Sequence, residues 1–297
     1  MKFEYLSMKG KTVLFYFICI LAAFACDKSD YTIEGDENSF ERVDEPYSYI
    51  KQWFDYLCAP ELGGRYSGST GIKKAVDYIC DVIGQSDTLE VDTFSTDKCE
   101  MTNIVFHVRG LTDSLFVIGA HYDAVGYSNH KPLPGADDNL SGVAVLLDLV
   151  KMLQKDPFNA QYSIDICFFD GEEIGLYGSK HYAEKTGNVK LYINVDTCGN
   201  KDSGLGVYYD KMHPYLQEEF QGFISLINVV NTKVAEYNPV GYTTDCSPFS
   251  KQKIPFVNMG NDRITGLNHS MEDVVSQISL EKIHYLSKAL FEYLHVM

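Results

Sequence analysis

Positive charge is scarce in this chain: 25 lysines and arginines stand against 41 aspartates and glutamates, a formal net charge of −16 over 297 residues. That balance excludes nucleic acid and anionic membrane surfaces as partners, because both are held through basic patches. It suits a protein that gathers cations. Apolar runs long enough to cross a bilayer are missing too. The run Val13–Ala25 is thirteen residues, too short for a span and the length of a signal-peptide core. The eight cysteines form neither a C-x-x-C pair nor a metal-ligand spacing. No stretch repeats, and no boundary after Glu45 marks a second domain. Disorder is excluded as well, since 45% of the residues are hydrophobic and 13% aromatic, enough for a sizeable core.

What is present begins with an export signal. Lys9 and Lys11 precede the apolar run, with Met8 a candidate start, and Ala23-Phe24-Ala25-Cys26 resembles a bacterial lipobox. The expectation is a signal peptide over 1–25, lipidation at Cys26, and anchoring in the cell envelope, on the periplasmic or cell-surface face of a bacterial membrane. Asp27–Glu45 holds eight acidic residues with only Lys28 and Arg42 as basic ones, and reads as a solvated tether over 26–45. A single folded domain is expected over 46–297. Export permits disulfides, but the pairing of Cys58, Cys80, Cys99, Cys167, Cys198 and Cys246 stays open, with Cys167 read as a core thiol.

Within that domain, apolar spacing predicts helices over Pro46–Leu57, Ile72–Ile83, Val143–Leu153, Met212–Val230 and Leu280–Val296. Strands are predicted at Val91–Phe94, Asn103–Val108, Leu115–Ala120, Ser163–Phe169, Lys190–Val195 and Ile254–Asn258. Continuous apolar runs such as LFVIGA read as central strands. The alternation predicts an α/β fold: a doubly wound, mostly parallel sheet with helices on both faces.

Ser163–Phe169 runs through the turn Asp170-Gly171 into Glu172-Glu173, with a further helix expected from Ile174. Two adjacent carboxylates past a buried strand end fit two accounts equally. They are first-turn residues favoured by the helix dipole, or they are chemistry at the carboxyl rim of an open sheet. The other strand ends decide between them. His121 and Asp123 follow one strand, Asp138 closes the long loop after it, Asp196 follows another, and His269 lies in the loop beyond the last. Carboxylates gathered on one rim repel unless a cation compensates them, and imidazole with carboxylate suits zinc.

In order along the chain stand GGRYSGSTG, GAHYDAV, GADDNLSG, FFDGEEIGLYGS, INVDTCG, TTDCSPF and NHSMED. From about Glu61 to the C-terminus this series resembles the co-catalytic zinc exopeptidases of peptidase family M28, with their phosphorylase/hydrolase-like architecture. The resemblance implies two zinc ions: His121 and Asp196 on one, Glu173 and His269 on the other, Asp138 bridging, and Asp137 not the bridge. It implies Glu172 as general base on the attacking water and Asp123 behind His121, fixing its tautomer. Asp273 either does the same for His269 or is a solvated loop carboxylate. Asp245 is a candidate contact for the substrate amine and Tyr242 for the oxyanion. Cys198 and Cys246 read as structural. The loops 124–136 and 201–212 are expected to shape the side-chain pocket.

The expected activity is zinc-dependent hydrolysis of N-terminal peptide bonds, with unblocked peptides as partners and the membrane met only through the lipid. Two rivals are weighed. Zinc glutaminyl cyclases share the fold and nearly the same ligands. They carry an insertion after the acidic pair and a tryptophan before the last histidine; here Glu173-Ile-Gly-Leu-Tyr-Gly-Ser is uninterrupted, Asn268 precedes His269, and the chain's one tryptophan is Trp53. A retired, non-catalytic binding lipoprotein is the other rival, and no ligand of the pattern is missing.

Overall fold

The computed structural model describes residues 47–224, 232–237 and 243–297. In chain order these form helix α1 (Ser48–Leu57), a 3-10 turn (Pro60–Arg65), α2 (Thr70–Ile83), β1 (Leu89–Ser95), β2 (Glu100–Val108) and β3 (Thr112–His121). A small hairpin β4 (Tyr127–Ser128) and β5 (Lys131–Pro132) leads to an irregular wide turn at Ala136–Leu140 and α3 (Ser141–Lys155). Then follow β6 (Tyr162–Phe169), α4 (Tyr177–Lys185), β7 (Val189–Val195), β8 (Leu205–Tyr209), α5 (Tyr215–Ile224), β9 (Thr232–Glu236), α6 (Cys246–Lys251), β10 (Phe256–Asn261) and α7 (Leu280–Val296).

The main sheet has the order β1-β2-β6-β3-β7-β10-β8-β9. Its centre, β6-β3-β7-β10, is parallel throughout, whereas β1-β2, β2-β6 and β10-β8 pair antiparallel. Parallel strands must be covered on both faces, and alternation along β3 and β6 shows how. Phe116, Ile118 and Ala120, with Ile164, Ile166 and Phe168, join the larger apolar cluster, which also takes in residues of α1, α2, α3 and α7. Val117, with Cys167 and Phe169, joins a second cluster, where Tyr182 of α4 and Phe249 of α6 pack. Tyr192 stacks on Phe249 there at 3.8 Å between ring centroids. Strict period two thus sends successive side chains to opposite cores.

Several expectations change. Ile174 does not open a helix: Glu172–Leu176 is a turn and α4 starts at Tyr177. The macrodipole account of Glu172 and Glu173 therefore falls away. The stretch 201–212 is not a loop, because it contains β8, and β9 was likewise unforeseen. Both are five-residue strands at the β10 edge of the sheet, too short for a clear periodic signal; β8 is mostly buried and β9 half-exposed. Tyr242–Phe249 is a turn only in part, since α6 begins at Cys246. The described part of the Met212–Val230 helix is α5. Cys26, the segment 1–46 and Tyr242 lie outside the described residues. No described helix is long and apolar enough to cross a membrane. The six cysteines of the domain are free thiols, Cys167, Cys198 and Cys246 among those buried.

Candidate metal centre

Because β3, β6, β7 and β10 run parallel, their carboxyl ends share one rim, the place where open α/β sheets put ligands. His121 ends β3, Glu172 and Glu173 follow β6, and Asp196 follows β7. Asp138 arrives from the wide turn before α3. The approach is tight: a Cβ on Gly142 would lie 2.3 Å from the Val195 carbonyl, so only glycine lets α3 start against the end of β7. Asn139 fastens the same junction. Its Nδ2 donates to Val195 O at 3.0 Å, and its Oδ1 accepts from Gly142 N at 3.0 Å and Thr197 N at 3.1 Å.

Two donor groups result, His121–Asp138–Asp196 and Asp138–Glu173–His269, each with one ligand atom per residue and all such atoms within 4.8 Å of one another. His121 Nε2 is 3.5 Å from Asp138 Oδ1 and 3.7 Å from Asp196 Oδ1. His269 Nε2 is 3.2 Å from Asp138 Oδ2 and 3.1 Å from Glu173 Oε2. Asp138 thus serves both groups with different oxygens. The structure brings all five residues together.

The tautomer of His121 follows from its other nitrogen. Nδ1 donates to the Asp123 carbonyl at 3.1 Å; a carbonyl only accepts, so the proton sits on Nδ1 and the neutral ring presents the Nε2 lone pair to the donor group. Asp123 adds more. Its Oδ1 accepts Glu172 N at 3.1 Å and its Oδ2 accepts Glu173 N at 3.2 Å. Ser67 Oγ donates to Asp123 Oδ2 at 3.3 Å and to Asp170 Oδ1 at 2.7 Å.

Electrostatics show a site short of positive charge. Burial alone would push the His121 imidazole down; the surrounding carboxylates of Glu172, Asp123, Asp138 and Asp196 outweigh it and hold the ring well above its ordinary value. Hydrogen bonds to Asp138 and Glu173 raise His269 to about 10. Burial, joined by Asp245, Asp196 and Asp123 and opposed by His121, pushes Glu172 up to about 10. Asp138 lies far below the usual range: burial works against this, but both imidazoles favour its charge. The buried Glu173 Oε1 has no hydrogen-bond partner among the described residues, which a buried polar atom rarely tolerates. The donors are the oxygen and nitrogen set that zinc takes, so the residues present fit it.

Two further placements differ from expectation. Asp273 is not a solvated carboxylate; it holds the backbone of the turn that carries Asp138, accepting Asp137 N at 2.6 Å and Asp138 N at 3.1 Å. Asp245 is fully sealed and neither oxygen has a hydrogen-bond partner among the described residues. It offers no surface to a substrate amine in this conformation, and burial lifts it to about 7. Asp137 turns away, accepting Gly199 N at 2.8 Å and Asn261 Nδ2 at 2.7 Å. Sequence reasoning missed Asn268, whose Nδ2 donates to Asp138 Oδ2 at 3.1 Å; its one signal was its place beside His269.

Comparison with known proteins bears on the family and the fold. The family model of peptidase family M28 matches residues 103–294. The chain is 26% identical over 224 residues to leupeptin-inactivating enzyme 1 of Streptomyces exfoliatus, covering 71% of this chain and 48% of that one. It is 28% identical over 166 residues to the probable lipoprotein aminopeptidase LpqL of Mycobacterium tuberculosis, covering 52% and 32%. The chain therefore spans less than half the length of either relative. Among solved structures, a glutaminyl cyclase from an Acidobacteriales bacterium superposes with TM-score 0.70 at 24% identity, over 89% of this chain and 98% of that one. At that identity the likeness is one of fold.

Proposed function

Because the chain belongs to peptidase family M28, we propose that it is a zinc-dependent aminopeptidase that removes N-terminal residues from unblocked peptides. The observation that carries this reading is the pair of donor groups sharing Asp138, with Glu172 beside them at the end of β6. His121 and Asp196 would hold one zinc, Glu173 and His269 a second, and Asp138 would serve both. Zinc held there supplies Lewis acidity to the attacking water and the scissile carbonyl.

The remaining steps belong to the chain. Glu172 takes a proton from the water and returns it to the leaving amine as the peptide bond breaks. In the metal-free protein Glu172 is held protonated by burial and nearby carboxylates; a cation among those carboxylates frees it as a base. Asp123 keeps Glu172 in place through its backbone amide and keeps His121 in the ligating tautomer.

The N-terminal organisation is part of the proposal: signal peptide 1–25, lipidated Cys26, an acidic tether to residue 45, and the peptidase domain from residue 46. The lipoprotein in the name of the mycobacterial relative supports it. Metal content of the purified domain, measured beside cleavage of unblocked and N-acetylated peptides, tests the reading. About two zinc per chain, from the two donor groups, with cleavage only of unblocked peptides, is the expected result. Ammonia release from glutaminyl peptides without hydrolysis would move the protein to the cyclases, against the uninterrupted turn from Glu173 into α4. Absence of both metal and turnover would leave a binding protein.

A further inference from the structure

Arg65, in the GGRYSGSTG segment, carries a charge into the interior and is 1% exposed. Burying a guanidinium is costly unless fixed acceptors meet its planar fork. Its hydrogen bonds go to four backbone carbonyls: Nε donates to Tyr122 O at 2.9 Å, Nη1 to Leu57 O and Pro134 O at 2.8 Å each, and Nη2 to Gly135 O at 2.9 Å. Tyr122 lies between His121 and Asp123; Gly135 lies three residues before Asp138. The residue itself sits at φ 46°, in the left-handed region that non-glycine residues avoid, and such a conformation persists only where its surroundings over-determine it. Its own carbonyl accepts Ala124 N at 3.3 Å.

We propose that Arg65 is a positioning residue of the metal centre, tying the end of β3, which carries His121, to the turn that carries Asp138 so that the first donor group closes. The inference rests on the zinc reading above. It differs from a general electrostatic role in sign. Removing a cation from near a cluster of carboxylates would tighten the binding of another cation; removing a positioning group loosens it. It differs from a general folding role because zinc affinity, and not only stability, depends on the fork.

The test compares wild type with Arg65→Met, which keeps most of the volume, Arg65→Lys, which keeps the charge without the fork, and Arg65→Ala. Zinc affinity is measured by competition with a chromophoric chelator, ligand geometry by the visible absorption of the cobalt(II)-loaded protein, and fold by far-UV circular dichroism. A cavity of about 220 Å³ is lined in part by Leu57 and Pro134, two of the acceptor residues, and by Gly64, next to Arg65 in sequence. The expected result is native dichroism for Arg65→Met and Arg65→Lys, with zinc affinity falling roughly ten- to a hundredfold, as for residues that orient ligands. The cobalt spectrum should change, and methylguanidinium should restore zinc binding to Arg65→Ala. Unchanged or tighter zinc binding with an unchanged cobalt spectrum would overturn the proposal, and so would failure of both Arg65→Met and Arg65→Lys to fold. Wild type that binds no zinc would instead bring down the zinc reading itself.

Discussion

The Asp123 carboxylate accepts the backbone amide of Glu172 at 3.1 Å while Nδ1 of His121 lies 3.5 Å from the same oxygen. One buried residue therefore holds His121 of β3 through its backbone carbonyl and the residue proposed as base after β6 through its side chain. In Asp123→Asn the Nδ2 group would face an amide N–H, Glu172's or Glu173's, and leave that donor unsatisfied at a cost of roughly 1–3 kcal/mol. The expected outcome is a lower Tm together with zinc affinity and kcat each reduced about 10- to 100-fold. Calorimetry, chelator competition and steady-state kinetics on one preparation check it; unchanged kcat would show that Asp123 is not needed to place Glu172.

Glu172 and Glu173 are adjacent, yet only Glu173 enters a donor group. Glu172→Gln keeps the size of the side chain and removes the proton acceptor. Metal content and far-UV dichroism should match wild type, while kcat falls by about 10²–10⁴, the range general-base removal covers. Near wild-type turnover would take the base role away from Glu172.

The sharing of Asp138 makes stoichiometry diagnostic. Asp196→Ala and His269→Ala each dismantle one donor group and should each leave about one zinc per chain, whereas Asp138→Asn weakens both groups and should leave less than either. Native mass spectrometry at fixed free zinc reads the three values. Equal occupancy in all three variants would mean the groups do not share a ligand.

The parallel centre of the fold was legible because β3 carries the continuous apolar run Leu115–Ala120 and β6 and β7 are mostly apolar, broken only by residues such as Asp165 and Asn194, as buried strands read. The grouping of His121, Asp138, Glu173, Asp196 and His269 was legible because each lies at or beyond a strand end in a recognisable motif. What resisted reading is backbone chemistry. Asp273 acts through the amides of Asp137 and Asp138, and Arg65 through four carbonyls, partners that carry no side-chain signature. The helix start expected at Ile174 failed for a related reason. Gly171 adopts φ 77°, which turns the chain sharply, and Asp123 then holds Glu172 and Glu173 by their amides in a turn that precedes α4.

Asp170, behind the site, gives a pH dependence that can be read without touching a ligand. It is 2% exposed, and burial and then the Asp123 charge raise it to about 7. A carboxyl group whose folded value lies above its unfolded value favours folding in its protonated form. Its stabilisation is therefore complete below the unfolded value near 4 and is lost as pH rises through about 7. In Asp170→Asn the amide can mimic the protonated acid: its oxygen accepts Thr102 N, which now donates to Asp170 Oδ2 at 3.2 Å, and its NH₂ donates to Ser67 Oγ. Ser67 then gives its hydroxyl proton wholly to Asp123 Oδ2. The variant should lack this component of the wild-type decline in stability between about pH 4 and 7, so that the difference in unfolding free energy moves in the variant's favour as pH rises. Urea unfolding of both proteins in the presence of excess chelator, at pH 4.5, 6 and 7.5, measures that difference. A constant gap across the three would show that Asp170 titrates in the folded protein as it does in the unfolded chain.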